Sequence, residues 1–102
     1  MKRVEPLAIQ RCIQLKRVCD RHSITVEENS FYMYLYQEKI IAGQECFPLQ
    51  DIFDISYYPH HKTGETLGFL YLHTKCGVKT YYIKELPVQF VEAFKRLTTN
   101  PS

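Results

Sequence analysis

The stretch from Leu67 to Leu97 constrains the fold more than any other. Leu67, Phe69, Tyr71 and His73 fall on one face of an extended chain, and Gly68, Leu70, Leu72 and Thr74 on the other. That alternation has the period of a strand. Lys75, Cys76 and Gly77 interrupt it, and Val78 to Lys84 resumes it with Val78, Thr80, Tyr81, Tyr82 and Ile83. Two runs rich in β-branched and aromatic residues, parted by a short break with a glycine, predict a hairpin. The period then changes. Pro87 suits the first turn of a helix, where a missing N–H costs nothing. Phe90, Val91, Phe94 and Leu97 follow as one helical stripe. A helix this short is not stable alone in water, so its stripe has to lie on a sheet.

The remainder of the chain supplies that sheet. Leu7, Ile9, Ile13 and Leu15 alternate in strand fashion, and a helical reading scatters residues 7–18 around the whole circumference. A strand is favoured, with a helix starting at Pro6 as the alternative. Asp20 to Ser23 is a polar connection. Ile24 to Glu28 reads as a short extended piece, Glu28 to Ser30 as a turn, and Phe31 to Tyr36 as an aromatic strand. Ile40 to Phe47 reads as one strand in which Gly43 marks a bulge or bend. Pro48 to Asp51 makes a corner. Ile52 to Tyr58 alternates again, with Ile52, Asp54 and Ser56 opposite Phe53, Ile55 and Tyr57. Pro59 to Thr66 is polar and reads as a loop, and Thr98 to Ser102 as a frayed end. Six or seven strands at short spacing followed by one helix predict a mainly β domain, an antiparallel barrel or sandwich capped by the C-terminal helix.

A chain of 102 residues makes one domain, with its core between about residues 7 and 97. Eight Tyr and six Phe against four Gly and five Pro agree with a strand-rich chain. The formal charge of +2 is too small to argue for nucleic acid or anionic lipid. It is unevenly placed, because residues 1–22 hold Lys2, Arg3, Arg11, Lys16, Arg17 and Arg21 against Glu5 and Asp20. Cys12, Cys19, Cys46 and Cys76 lack any CxxC spacing, so no zinc ribbon is expected. Each reads as a small buried apolar side chain with a reduced thiol. No secretory segment and no bilayer-length apolar run is found, which makes a cytoplasmic location the expectation.

Phe47-Pro48-Leu49-Gln50-Asp51-Ile52-Phe53-Asp54-Ile55 is similar to a strand-to-strand corner of bacterial pleckstrin-homology-like (PH-like) domains. Leu67 to Leu72, through Gly77 to Tyr82 and Pro87 to Val91, resembles their last hairpin and helix entry. The resemblance covers residues 24–97. It departs at Leu86, where such domains often carry an Asp or Asn helix cap; the cap is then either supplied by Glu85 or left unmade at a cost of about 1 kcal/mol. The resemblance implies a non-catalytic binding or assembly module of about seven strands and a capping helix. It implies no ligand and no cofactor. The phosphoinositide site of eukaryotic relatives is a basic cluster between the first two strands. Here that loop is Asp20 to Ser23, short and mildly basic, so lipid binding is not carried over.

Candidate binding residues follow from the same patterns. Tyr32, Tyr34 and Tyr36 share one face of a strand, a row suited to sheet packing, to a protein interface or to stacking on single-stranded nucleic acid. His60, His61 and Lys62 form a polar group suited to a metal or an acidic partner, although a solvated loop tip is the plainer reading. His73 and Cys76 are close in sequence but lack an orienting group or oxyanion device. No phosphate loop, HExxH or paired-carboxylate motif occurs. The expectation is therefore no catalysis and no metal, with action through a protein partner or self-association. The alternative is a nucleic-acid or anionic-surface binder using the basic N-terminal segment and the tyrosine strand.

Overall fold

The computed structural model describes residues 5–62 and 65–99, with the backbone alone for 60–62, 65–67 and 99. Among the described residues, seven antiparallel strands form one sheet and a single helix follows. The strands are β1 (Ala8–Cys19), β2 (Ile24–Leu35), β3 (Lys39–Ala42), β4 (Glu45–Pro48), β5 (Ile52–Lys62), β6 (Glu65–Thr74) and β7 (Gly77–Ile83), and the helix is α1 (Val88–Thr99). A 3-10 turn, Leu49–Asp51, joins β4 to β5. The expected mainly β architecture with a C-terminal helix is therefore present.

The strand order is β4-β3-β2-β1-β7-β6-β5. Laid flat, its outermost strands would stand about 29 Å apart, six steps of roughly 4.8 Å. Yet Pro48 ends β4 and Ile52 begins β5, a connection that reaches at most about 14 Å. The sheet must roll up. Ile40 and Ala42 of β3 accordingly share one apolar cluster with Ile52 and Ile55 of β5, although these strands lie near opposite ends of the order. Both edge strands contain a proline, Pro48 and Pro59, and an edge is where a missing N–H is tolerated.

Alternation assigns the two faces. Cys12, Met33, Leu35, Ile40, Leu70, Leu72 and Ile83 point inward and are almost wholly buried. α1 lies over this inner face, packed on β1 and β5, and buries Phe90, Val91 and Phe94, while Leu97 is partly covered. The Val91 N–H donates to the Pro87 carbonyl at 2.9 Å, which starts the helix at the expected proline. Glu85 contributes its carbonyl, which accepts from Gln10 Nε2 at 3.3 Å and ties β1 to the helix entry.

The structure corrects the sequence reading at four places. Residues 7–18 settle as strand, and β2 runs unbroken through Glu28–Ser30, because each of its twelve residues pairs with β1 from Cys19↔Ile24 to Ala8↔Leu35. A long partner supplies register that the polar composition of Glu28-Asn29-Ser30 does not suggest. Ile40 to Phe47 is two strands, with Ala42 paired to Glu45 around Gly43 at φ +62°. A two-residue hairpin loop with glycine first requires that conformation. β5 carries a register shift between Ile52 and Asp54. Phe53 is the extra residue and is 69% exposed, and Ile52 moves to the face of Ile55 instead of that of Asp54. Finally, where a loop is expected at 59–66, residues 59–62 and 65–66 are ladder, with Pro59↔Gly68, His60↔Leu67, His61↔Thr66 and Lys62↔Glu65 paired, and Thr63 and Gly64 lie outside the described residues.

One hairpin outgrows the core. Every residue from Gln14 to Arg17 and from Ile24 to Ser30 is exposed, so the far half of β1–β2 projects as a two-stranded arm. The molecule measures 58 × 33 × 27 Å with a radius of gyration of 15.5 Å, against about 13 Å for a compact chain of this length.

Phe94→Ala is expected to remove about 3–5 kcal/mol of unfolding free energy. Phe53→Ala, on the exposed bulge, should change it by no more than about 0.5 kcal/mol. Urea denaturation followed by circular dichroism checks both.

Candidate functional site

Because α1 occupies the inner face, chemistry available to a partner lies on the outer face, at the strand edges and at the open end of the rolled sheet. The outer face is aromatic. Tyr32 and Tyr34 project from β2 as the alternation requires, opposite the buried Met33 and Leu35, and Tyr36 follows just past the strand's end. Their ring centroids are 6.4 Å and 6.5 Å apart along the strand. Ile9 and Ile41 flank Tyr34 in register, and Arg11 lies across from Tyr32. Lys39 Nζ stands 5.8 Å from the Tyr36 ring centre. The three tyrosines thus share a face, and Tyr32 is 48% exposed.

A second aromatic group lies on the same outer face. Phe69 stacks near Tyr71 at 6.3 Å and meets Tyr82 at 5.5 Å, and Tyr58 sits across from Phe69 in register. Ile13 of β1 pairs with Tyr82 on one side and Ser30 on the other, and so bridges the two groups. The outer face continues along the arm as Leu15, Val26 and Ile24, all exposed. The alternation of Leu67, Phe69, Tyr71 and His73 is visible in the sequence. That it shares a face with the β2 tyrosines depends on β1 and β7 being neighbours, which no local pattern reveals.

His60, His61 and Lys62 are not brought near the β2 tyrosines by the topology. Their backbones lie on edge strand β5, three strands from β1, and their side chains lie outside the described residues. Among the described residues no group of three His, Cys, Asp or Glu side chains converges as a metal site. His73 shares a hydrogen bond of 2.7 Å with Ser56 Oγ on the outer face, a contact the sequence reading missed because 17 positions separate the two. Asp54 is register-paired with His73. The contact links β5 to β6 on the outer face. Cys76 belongs to the β6–β7 turn, where its N–H donates to Thr74 Oγ1 at 3.2 Å.

Cys12 is buried as expected, whereas Cys19, Cys46 and Cys76 are exposed, against the expectation of burial. Burial pushes the Cys12 thiol up from 9.0 to about 12. Burial, and then the charges of Glu45 and Cys12, raise the Tyr81 hydroxyl above the ordinary tyrosine value. That hydroxyl is buried and has no hydrogen-bond partner among the described residues. Its ring meets Phe31 edge-on at 6.0 Å.

No helix among the described residues is long and apolar enough to cross a membrane. Compared with known families, with characterised proteins and with solved structures, the chain matches none.

A thiol reagent should label Cys19, Cys46 and Cys76 in the folded protein and Cys12 only in denaturant, read by mass spectrometry. Below pH 9.0 the Cys12 thiol is protonated both folded and unfolded; above it the unfolded chain ionises first. Stability is therefore expected to fall as pH rises from 9.0 toward about 12, and Cys12→Ala to flatten that part of the slope. Urea midpoints against pH measure it.

Proposed function

We propose that this chain is a non-catalytic module that works by protein contact, and that the tyrosine-lined outer face makes that contact with a second copy. The observation that carries this reading is the number of exposed apolar residues on one face of β1 and β2. Ile9, Leu15, Ile24, Val26 and Tyr32 are all more than 40% exposed and lie on the same face. Monomeric proteins scatter such residues singly, and contiguous patches mark interaction sites. Tyrosine is enriched in interfaces, since it offers a large ring at low entropy cost. A face that meets its own copy needs no second surface, and a two-fold axis closes the assembly.

A PH-like identity is part of the proposal. A seven-strand antiparallel sheet followed by one covering helix is the arrangement that the resemblance leads one to expect. The four-residue β1–β2 turn argues against a lipid headgroup site. Its Asp20 carboxylate accepts the Arg21 N–H at 2.6 Å, and few basic groups remain there.

One observation favours a second reading. Arg11 beside Tyr32 and Lys39 above Tyr36 place cations against the ring row, the pairing that holds single-stranded nucleic acid. Filter binding at about 50 mM salt, where phosphate contacts are strong, separates the two. No retention of any oligonucleotide is expected.

Light scattering across a concentration series tests the main reading. The mass is expected to rise above that of one chain and to return to it in Ile9→Glu/Tyr34→Glu. The thermal midpoint of that variant should stay within a few degrees, because Ile9 is exposed and Tyr34 half-buried. A concentration-independent single-chain mass in the unaltered protein would overturn self-association.

A further inference from the structure

The sheet is nearly split where β1 meets β7. β1 pairs with β2 along twelve positions, but with β7 at Ile13↔Tyr82 alone. Beyond that bridge the two backbones part around a cleft of about 630 Å³. Ile13, Gln14 and Leu15 form one bank and Thr80, Tyr81 and Tyr82 the other. Phe31 and the β3–β4 turn, Ala42–Glu45, close its base. The cleft is the open end of the rolled sheet, remote from α1, which packs beside Leu7, Ala8 and Ile9. From Gln14 to Cys19 on β1 and from Gly77 to Tyr81 on β7, each strand has a neighbour on one side only. Two rows of backbone N–H and C=O groups thus face one another without strand partners, and such a row is a template for an added strand.

The side chains around the slot select the occupant. Counted on from Ile13↔Tyr82 in the antiparallel sense, Lys16 of β1 and Lys79 of β7 come next after the lining residues Leu15 and Thr80, one on each side of the cleft's mouth. Both lie on the inner side, with Gln14 and Tyr81 two residues nearer the bridge. Neither lysine makes an ion pair among the described residues, even though Glu27 stands across from Lys16 on β2. Two like charges set across a slot repel each other and favour an anion between them. At the base, Phe31 and Tyr81 present ring surface, and Glu45 beside them disfavours a second acid there.

We propose that this cleft receives an extended acidic peptide segment of a partner protein, which adds as a strand between β1 and β7. An apolar side chain covers Phe31 and Tyr81. A Glu or Asp two residues along, on the same face of the peptide strand, lies between Lys16 and Lys79. The spacing follows from the two-residue period of both banks. The cleft borders the tyrosine face at Leu15 and Tyr82, but strand addition and self-association are read by different experiments, so either can fail while the other stands.

The test uses the full chain and two synthetic peptides. One is Thr-Val-Leu-Thr-Glu-Val-Thr, and the other has Lys in place of Glu. Binding is followed by fluorescence anisotropy at low salt. The acidic peptide is expected to bind roughly tenfold tighter or better, and Lys16→Glu/Lys79→Glu to reverse the preference. Lys16→Glu alone, at an exposed position, should abolish most of the discrimination and keeps the test valid if the double variant folds poorly. In the unaltered protein, amide shifts should centre on residues 14–18 and 77–81. Equal affinity for both peptides, no binding of either, an unchanged preference in a folded Lys16→Glu protein, or shifts confined to the free edge of β5 would each overturn the proposal.

Discussion

An apolar sheet face that rolls on itself still needs a cover, and Phe90 and Phe94 of α1 supply it. Each is about 1% exposed, and burying two such rings is worth several kcal/mol at roughly 25 cal/mol per Å², a large part of what holds a domain of this size folded. The helix in turn has no independent stability. Its stripe exists only against the strands, and the inner faces of β1 and β5 exist as apolar surfaces only beneath it. The roll follows from a short connection: a 3-10 turn leashes the last strand of one half to the first strand of the other, which forces β3 and β5 to share a core.

The same geometry explains what is left over. A helix of twelve residues covers about 18 Å, while β1 and β2 are twelve residues each and extend to about 40 Å. Past Ile13 no described residue of the helix roofs the inner side. There the chain places the polar Gln14, Lys16, Thr25, Glu27 and Asn29 inward, with Val18 as an apolar exception, and keeps Leu15, Ile24 and Val26 outward. The inversion is informative. Within the body apolar residues face in, and along the arm they face out, onto the surface that bears the tyrosines. A two-stranded ribbon is marginal in water by itself, so the arm depends on what its outer face and its free β1 edge meet.

The architecture was legible where local period and core burial agree. Leu70, Leu72, Ile83, Phe90 and Phe94 were readable as core because each repeats at the period of its own element. Gln10 was not, since it is polar and its neighbours Ile9 and Arg11 blur the alternation, and Cys12 was readable as buried from its residue type alone; Ile13 is buried from the outer side by β7. Phe53 was misread because a bulge changes phase without leaving a composition signal. Glu28-Asn29-Ser30 and Pro59 to Lys62 have turn-like residues but lie in long two-stranded ladders, where cross-strand pairing overrides propensity. Of the candidate site, the tyrosine row could be read from one strand. Its partners Phe69, Tyr71 and Tyr82, and the cleft beside Tyr81, depend on β1 lying next to β7, seventy residues apart in sequence.

Native-state hydrogen exchange tests most directly the claim that helix cover divides the molecule. Amides of Met33, Leu35, Leu70 and Leu72, beneath or beside α1, should exchange only through global unfolding. Those of Lys16, Arg17, Val26 and Glu27 on the arm should exchange through local opening, on the order of a hundredfold or more faster. Equal protection of the two sets would contradict the account, because the arm would then be as firmly held without a roof as the core is with one.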